Sequence, residues 1–579
     1  MSFVFNGKTY DIPGSYGILE VIQNSGANIP DFQVGLIIGR SIKGIPYSVS
    51  GKTGSELMPA YDNGNDLLRD FGDDNIYKAY KYMAKHGGGL VFVLNSMSNT
   101  ACEASLKDTT TPTPKDAIKL VAKENWYGVC ANDISLTLID TPNEENSKTL
   151  TLIPPKNVKR LVEDSGTYFI YVNSINGLSE GMDVYLTSNV DTSPDPYKIK
   201  RIDGNWDPNK KGYKITFDSV IATAATVTSF GRIFQKDEDN KETIKWATSL
   251  TNAQIVDELN EHSNLVTATL TDDTAIALDD HTTSVYLQDI AITDKKGKSL
   301  SDNVEAASNS NYSNICDSFP NWMKDFINAN KVKIRLVYVD SPDVTVHGYF
   351  RDLAVTMRAQ ERSPICVIAG AAFGEEVSDL TDRGSDLNSD DFILCGGGAD
   401  SLPAYLTLAP SVLGIKMSYG INHNLTRDQL NFSSVERDWS NSQITSLLKK
   451  GILTYDKFPS GYRIVRGINT YQDQTHVWNA QDKKTYLQMP RDLADAFFRG
   501  LLEGLDNDLV GSDQVTRKKV ETYCVKTGNN FVASGLINDF KVLSIKRGEA
   551  GWLPEIQIEV DDPTDFFGTR IFVISPSLD

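Results

Sequence analysis

The sequence predicts an α/β protein. Its core is a mixed sheet with flanking helices, discontinuous in the chain; a β-rich domain is inserted into it and an α+β C-terminal domain follows. Three observations carry this. Apolar runs alternate with helical patterns over residues 33–95 and again over 311–395, and parallel strands need such crossover helices. From 126 to about 300, helical periodicity is scarce, and short Thr, Val, Ile and Tyr segments alternate between Asn-Gly and Asp-Gly turns. After 500, two helical patterns precede three strand patterns.

The elements follow in chain order. Phe3–Phe5, Asn6-Gly7 and Lys8-Thr9-Tyr10 read as a short hairpin, because Asn-Gly tolerates the positive φ of a tight turn. Gln33–Gly39 is an apolar strand, followed by a Gly-, Pro- and Ser-rich loop from Arg40 to Pro59. Asn75 is expected to cap a helix whose Ile76, Tyr80 and Met83 share one face; Gly87-Gly88-Gly89 stops it before the strand Leu90–Leu94. Thr109–Pro114 reads as a linker, with a short helix expected at 115–123. Strands are expected at Ser135–Ile139, Thr167–Val172, Asp183–Leu186, Tyr197–Ile202, Tyr213–Phe217 and Thr228–Phe234, and a helix at Asn252–Glu261. Helices at Asn314–Ala329 and Phe350–Gln360 alternate with strands Lys333–Val339, Ile365–Ala369 and Phe392–Cys395. Helices at 491–505 and 512–525 then lead to strands Phe540–Arg547, Glu555–Val560 and Thr569–Ile574.

The 579 residues accommodate about three to five domains. A hydrophobic content of 40% supports packed cores and excludes disorder of the whole chain. The net charge of −19 opposes phosphate backbones and anionic lipid, so nucleic acid and membrane surfaces are not expected partners. No 18-residue apolar window occurs, and the start lacks the basic and apolar regions of a signal peptide. Six dispersed cysteines without a Cys-x-x-Cys pair, two of them (Cys366 and Cys395) inside apolar runs, read as buried free thiols of a reduced, intracellular protein.

Four patterns invite chemistry, and each reads better as structure. Gly51-Lys52-Thr53 lacks the earlier glycine of a phosphate loop, since position 46 is Pro, and Pro59 leaves little room for the helix that loop requires. Gly396-Gly397-Gly398 follows a strand, but a dinucleotide fingerprint would want a third spaced glycine where Ser401 stands. Asp203-x-Asn205-x-Asp207-x-Asn209 has calcium-loop spacing but carries Pro208 and Lys214 at the required Gly and Glu positions, so it is expected to be a polar hairpin turn. The six histidines are scattered, and Asp279-Asp280-His281 is expected to be solvated. No Gly-x-Ser-x-Gly elbow occurs. No cofactor, metal or catalytic residue is expected.

Several segments together resemble the contractile tail sheath proteins of bacteriophages. Ile12-Pro13-Gly14-Ser15-Tyr16-Gly17-Ile18-Leu19-Glu20 resembles the family's Pro-Gly-Val-Tyr-x-x-Glu opening. Val34–Ser41 with Gly44-x-Pro46 is similar to the strand and loop that follow it. Phe71-Gly72, Tyr77–Lys85, Gly87-Gly88-Gly89 and Val91-Phe92-Val93 resemble the family's Phe-Gly, glycine-terminated helix and following strand. A looser likeness covers Leu447–Gly451, Gly461–Val465, Gly467-Ile468-Asn469-Thr470 and the helix–helix–strand ending. The family-like order spans about 1–100 and 330–579, while residues 101–310 match nothing in it.

The resemblance implies an N-terminal arm (1–20), a core in two parts (21–100 and 311–490), a linker plus outer β-rich insertion (101–310) and a C-terminal sheath domain with its own arm (491–579). It implies a non-enzymatic subunit that polymerises helically around a tail tube and contracts without nucleotide to drive the tube through a host envelope. Its partners would be itself, the tube, the baseplate and the tail terminator; it would assemble in the host cytoplasm and reside in the virion tail. The arms add strands to neighbours, and the matching segments are Phe3, Val4, Phe5, Tyr10 and Ile12 at one end and Arg570, Ile571, Phe572, Val573 and Ile574 at the other. Arg517, Lys518 and Lys519 form a basic cluster that would face the tube or a neighbour, or else a solvated helix face. The alternatives are the sheath of a bacterial contractile injection system, another virion component such as a capsid or baseplate protein, and a multidomain hydrolase with a β-rich glycan-binding module.

Overall fold

In the computed structural model of the full chain, the residues described are 3–5, 8–10, 34–97, 103–110, 113–163, 166–187, 196–207, 210, 212–221, 232–272, 278–286, 309–361, 363–421, 423–472, 488–508, 515–547 and 552–559. They fall into two compact units, one containing residues 34–492 and the other 3–10 and 493–559.

The larger unit is built on a seven-stranded sheet in the spatial order Ile452–Leu453, Phe392–Cys395, Cys366–Gly370, Leu336–Val339, Gly35–Gly39, Val91–Asn95, Ala60–Tyr61. All neighbours are parallel except the short Ala60–Tyr61 edge. The five longer parallel strands are buried along their whole length, as expected where helices cover both faces. Helices Asn75–Lys85 and Leu408–Ser418 pack so closely that a Cβ on Gly414 would lie 2.2 Å from the Met83 carbonyl oxygen.

Several helical details differ from expectation. The Arg40–Pro59 loop contains a one-turn helix, Gly54–Leu57, and Gly64–Phe71 is a helix capped by Asn63, whose side chain accepts from the Asp66 amide. Asp74, not Asn75, occupies the N-cap of the next helix. The helix expected at Phe350 begins at Val344, where Asp343 accepts from the Thr345 and Val346 amides; three β-branched or β-favouring residues conceal that first turn in the sequence.

Residues 103–286 form three sheets. Glu103–Lys107, Asp116–Ala122 and Val266–Leu270 make one, and Ser135–Asp140, Ser147–Ile153, Glu242–Ala247 and His281–Tyr286 a second. The third is a closed barrel of Pro155–Glu163, Phe169–Val172, Gly212–Phe217, Tyr197–Asp207, Asp183–Thr187 and Arg232–Lys236. Ile170, Val172, Ile199, Ile215, Phe217 and Ile233 fill its interior. The helix expected at 115–123 is instead the strand Asp116–Ala122: Ile118, Leu120 and Ala122 are buried at two-residue spacing between two strand partners. That tertiary pairing overrides the helical propensity of its Ala, Leu and Lys residues. Part of the expected strand 228–234 lies outside the described residues.

The smaller unit contains the Phe3–Phe5/Lys8–Tyr10 hairpin, most of the helix Gln488–Asp508, the helix Arg517–Ala533, and the antiparallel pair Asp539–Arg547 and Trp552–Glu559. The second of these helices therefore runs eight residues past its expected end at 525. The expected strand 569–574 lies outside the described residues.

Candidate functional site: a filled crevice and a two-stranded sheet

In an open parallel sheet, ligands bind beyond the carboxyl ends of the strands where the winding direction reverses. Here that point lies between Gly35–Gly39, from which the chain continues to Val91–Asn95 on one side, and Leu336–Val339, from which it winds away on the other. The crevice is occupied by the protein itself. The Arg40 amide donates to Asp340 Oδ2 at 2.7 Å and the Tyr312 hydroxyl to Asp340 Oδ1 at 2.5 Å. Arg40 Nε lies 3.3 Å from Asp74 Oδ2, and Arg160 Nη2 donates to Asp74 Oδ1 at 3.4 Å. Lys159 Nζ and Ser174 Oγ each donate to Asp73 Oδ2 at 2.6 Å, and Lys78 Nζ donates to the Asn173 carbonyl at 2.6 Å. Lys159 and Arg160 belong to the barrel strand Pro155–Glu163, and Asn173 and Ser174 follow the strand Phe169–Val172. The barrel thus closes the position at which a Rossmann-like protein would hold its ligand.

The electrostatics match a structural clamp. Burial alone would raise the carboxyls of Asp73 and Asp74, yet Lys159 and Lys78 beside the first, and Arg40 and Arg160 beside the second, hold both below the ordinary carboxylate range. Burial lowers Lys78 to about 8, against the pull of Asp73 and Asp74. Asp340 is raised by burial, against the Arg40 amide and the Tyr312 hydroxyl. Every one of these side chains already has a protein partner.

The sequence patterns resolve in the same direction. Thr53 caps the one-turn helix through a capping box with Glu56, and Lys52 pairs with Glu124 at 2.9 Å. Where a phosphate would need the amides around Gly396–Gly398, the Glu436 carboxylate already accepts from the Gly398 amide at 2.6 Å and the Gly374 amide at 2.5 Å. A Cβ on Gly398 would lie 2.1 Å from the Leu402 carbonyl oxygen, so this glycine serves close packing. The expected polar turn beginning at Asp203 is corrected: the strand runs on to Asp207, with Trp206 opposite Tyr213 and Asp207 opposite Gly212. Asp280 is not simply solvated, because Lys148 donates to it. Cys130, Cys316, Cys366, Cys395 and Cys524 carry free thiols, and burial pushes Cys366 up to about 12.

The smaller unit offers a different kind of site. Asp539–Arg547 and Trp552–Glu559 form an antiparallel sheet of only two strands, packed on the helix Arg517–Ala533. A Cβ on Gly528 would lie 2.4 Å from the Phe540 ring, and Phe497 meets Phe531 edge-on at 5.2 Å. No third strand joins this pair among the described residues. Two strands of this length are marginal alone and invite a visiting strand.

Of the sequence-predicted residues, Phe3, Val4, Phe5 and Tyr10 lie in the short hairpin, with Phe3 opposite Tyr10. Ile12 and Arg570, Ile571, Phe572, Val573 and Ile574 lie outside the described residues. Arg517, Lys518 and Lys519 are brought together in the exposed first turn of their helix, capped by Thr516, which accepts from the Lys519 amide. The clamp residues went unnoticed in the sequence because Asp73 and its barrel partners lie 86 to 103 positions apart; the Asp73-Asp74 pair before a helix was the one visible sign.

No protein-family model matches the chain, and no curated protein matches it. Among solved structures, a sheath tail protein from Listeria innocua shares its fold, with a TM-score of 0.51 and 11% identity, over 93% of this chain and 94% of that one. A sheath tail protein from Desulfitobacterium hafniense aligns with a TM-score of 0.49 and 13% identity, over 92% of this chain and 93% of that one. The likeness to the Listeria innocua protein gives the chain the mixed α/β fold of a sheath tail protein, as the sequence resemblance led one to expect.

Proposed function

We propose that the chain is the structural subunit of a contractile phage tail sheath, polymerising helically around a tail tube and contracting without nucleotide to drive it through a host envelope. The observation that carries this is the sheath-tail fold extending along nearly the whole length of both chains. The sheet Asp539–Arg547/Trp552–Glu559 supports it, because no third strand joins it among the described residues and a two-stranded sheet can take up a neighbour's arm. In this reading the donors are Phe3, Val4, Phe5, Tyr10 and Ile12 from one neighbour and Arg570–Ile574 from another. Arg517, Lys518 and Lys519 face the tube or an adjoining subunit. The parts 21–100 and 311–490 form the core of each subunit, the C-terminal domain 491–579 with the arms knits the lattice, and 101–310 lies on the outer surface. The baseplate triggers contraction and the terminator ends the tail; the subunit assembles in the host cytoplasm and works in the virion.

Work comes from burying new intersubunit surface at about 25 cal/mol per Å² as an upper bound, repeated over every subunit. A hydrolase reading lacks support: the crevice where chemistry would sit is filled by the clamp. The reading is tested by deleting residues 1–12. The variant is expected to stay folded and monomeric by light scattering and to lose ordered assembly, whereas tubes identical to those of the full chain would refute the arm assignment.

A further inference from the structure

His86 ends the helix Asn75–Lys85 and is buried. Its Nδ1 lies 2.8 Å from the Tyr82 carbonyl, and its Nε2 lies 2.9 Å from the Asn431 amide nitrogen. A carbonyl can only accept and an amide N–H can only donate, so the ring carries its proton on Nδ1 and offers a bare Nε2 to Asn431. Asn431 directly follows Gln429–Leu430, the edge strand of a three-stranded sheet, which pairs with Gly461–Ile464 and through it with Tyr455–Phe458. Its side chain also donates to the Lys85 carbonyl at 3.0 Å. Two residues further on, Asp400 Oδ1 accepts from the Ser433 and Ser434 amides at 2.8 and 3.1 Å.

We propose that His86 is an acid-released latch: protonation at Nε2 sets a second donor against the Asn431 amide, expels it, and frays the edge strand Gln429–Leu430 from the small three-stranded sheet. The opening stops at Ser433, where Asp400 still holds the chain. The groups around His86 are few. Lys85 and Tyr82 share its helix, with Lys85 Nζ over the Tyr82 ring at 4.6 Å and the Tyr82 hydroxyl on Asp400 at 2.9 Å. Residues 431–434 bring no titratable side chain, only the Phe432 ring at 5.9 Å; Ser418 donates to the His86 carbonyl at 3.1 Å. His423 and Asp428, 2.7 Å apart, lie just before the strand. Burial and Lys85 both oppose the imidazolium, so release begins below the ordinary histidine range. The inference rests on the larger unit alone and stands whether or not the chain builds a sheath.

The test is hydrogen–deuterium exchange of the full chain at pH 7 and pH 5, corrected for intrinsic rate, read on the peptide spanning 429–434. His86→Gln keeps a neutral acceptor near the Nε2 position and is the comparison. Protection should fall by about ten-fold in the wild type and stay constant in His86→Gln, with the strand Cys366–Gly370 unchanged in both. Equal loss in both proteins, or no loss in the wild type, overturns the latch. If His86→Gln does not fold, a titration of ¹³C-labelled histidine in the wild type decides: a His86 ring that charges between pH 7 and 5 together with the loss of protection supports the latch, and one that stays neutral overturns it.

Discussion

His347 shows how a single buried ring sets a pH dependence. Its Nε2–H donates to the Ser341 carbonyl at 2.7 Å, and burial, with Arg383 nearby, lowers it to about 3. The folded value lies below the unfolded one, so between about 6.5 and 3 the unfolded chain holds the extra proton. Stability therefore rises with pH across that window and is lost on acidification, by up to ~1.4 kcal/mol per unit. Urea unfolding of the larger unit at pH 5, 6 and 7 should show this slope, and His347→Gln, which keeps a donor without the charge, should flatten it; parallel slopes would contradict the assignment. Asp74 gives a second prediction at this scale. Asp74→Asn leaves the half-buried Arg40 and Arg160 without the carboxylate that pairs them, which costs about 1–3 kcal/mol, whereas Asp203→Asn at the barrel surface should change stability by less than ~0.5 kcal/mol. Chemical denaturation of the two variants measures the contrast. None of this was legible in the sequence, because a pair such as Asp74 and Arg160 meets only once the barrel docks.

At the scale of elements, the sequence was informative wherever burial imposed its own pattern. The fully buried strands Gly35–Gly39, Val91–Asn95 and Cys366–Gly370 stood out as apolar runs. Asp116–Ala122 did not, because its buried positions alternate among residues that individually favour helix. The helix at Val344 was cut short for the opposite reason: Val-Thr-Val looks like a strand until Asp343 is recognised as its cap. Close packing is equally invisible in one dimension. Gly414 meets the main chain of Met83, so Gly414→Ala should destabilise by about 1–3 kcal/mol. Gly89, with nothing within 4 Å of an added Cβ, should accept alanine within ~0.5 kcal/mol. Thermal unfolding of both variants checks the pair, and equal effects would contradict the packing argument.

For the whole molecule, the discontinuous α/β core with a β-rich insertion could be read from the alternation of patterns, and the ordered motifs from Pro13-Gly14 to Val91-Phe92-Val93 pointed to the sheath family. The closed barrel and its use as a plug could not, since both depend on contacts between distant segments. The two-stranded sheet of the smaller unit lies between these cases: its strands were foreseen, its role as an acceptor only implied by the family resemblance. The central claim is that this chain builds a helical sheath from its own copies. Negative-stain electron microscopy of the purified full chain tests it most directly. Hollow helical tubes or stacked rings are the predicted result; dispersed particles, persisting at micromolar concentration and when a tube protein is co-expressed, would contradict it.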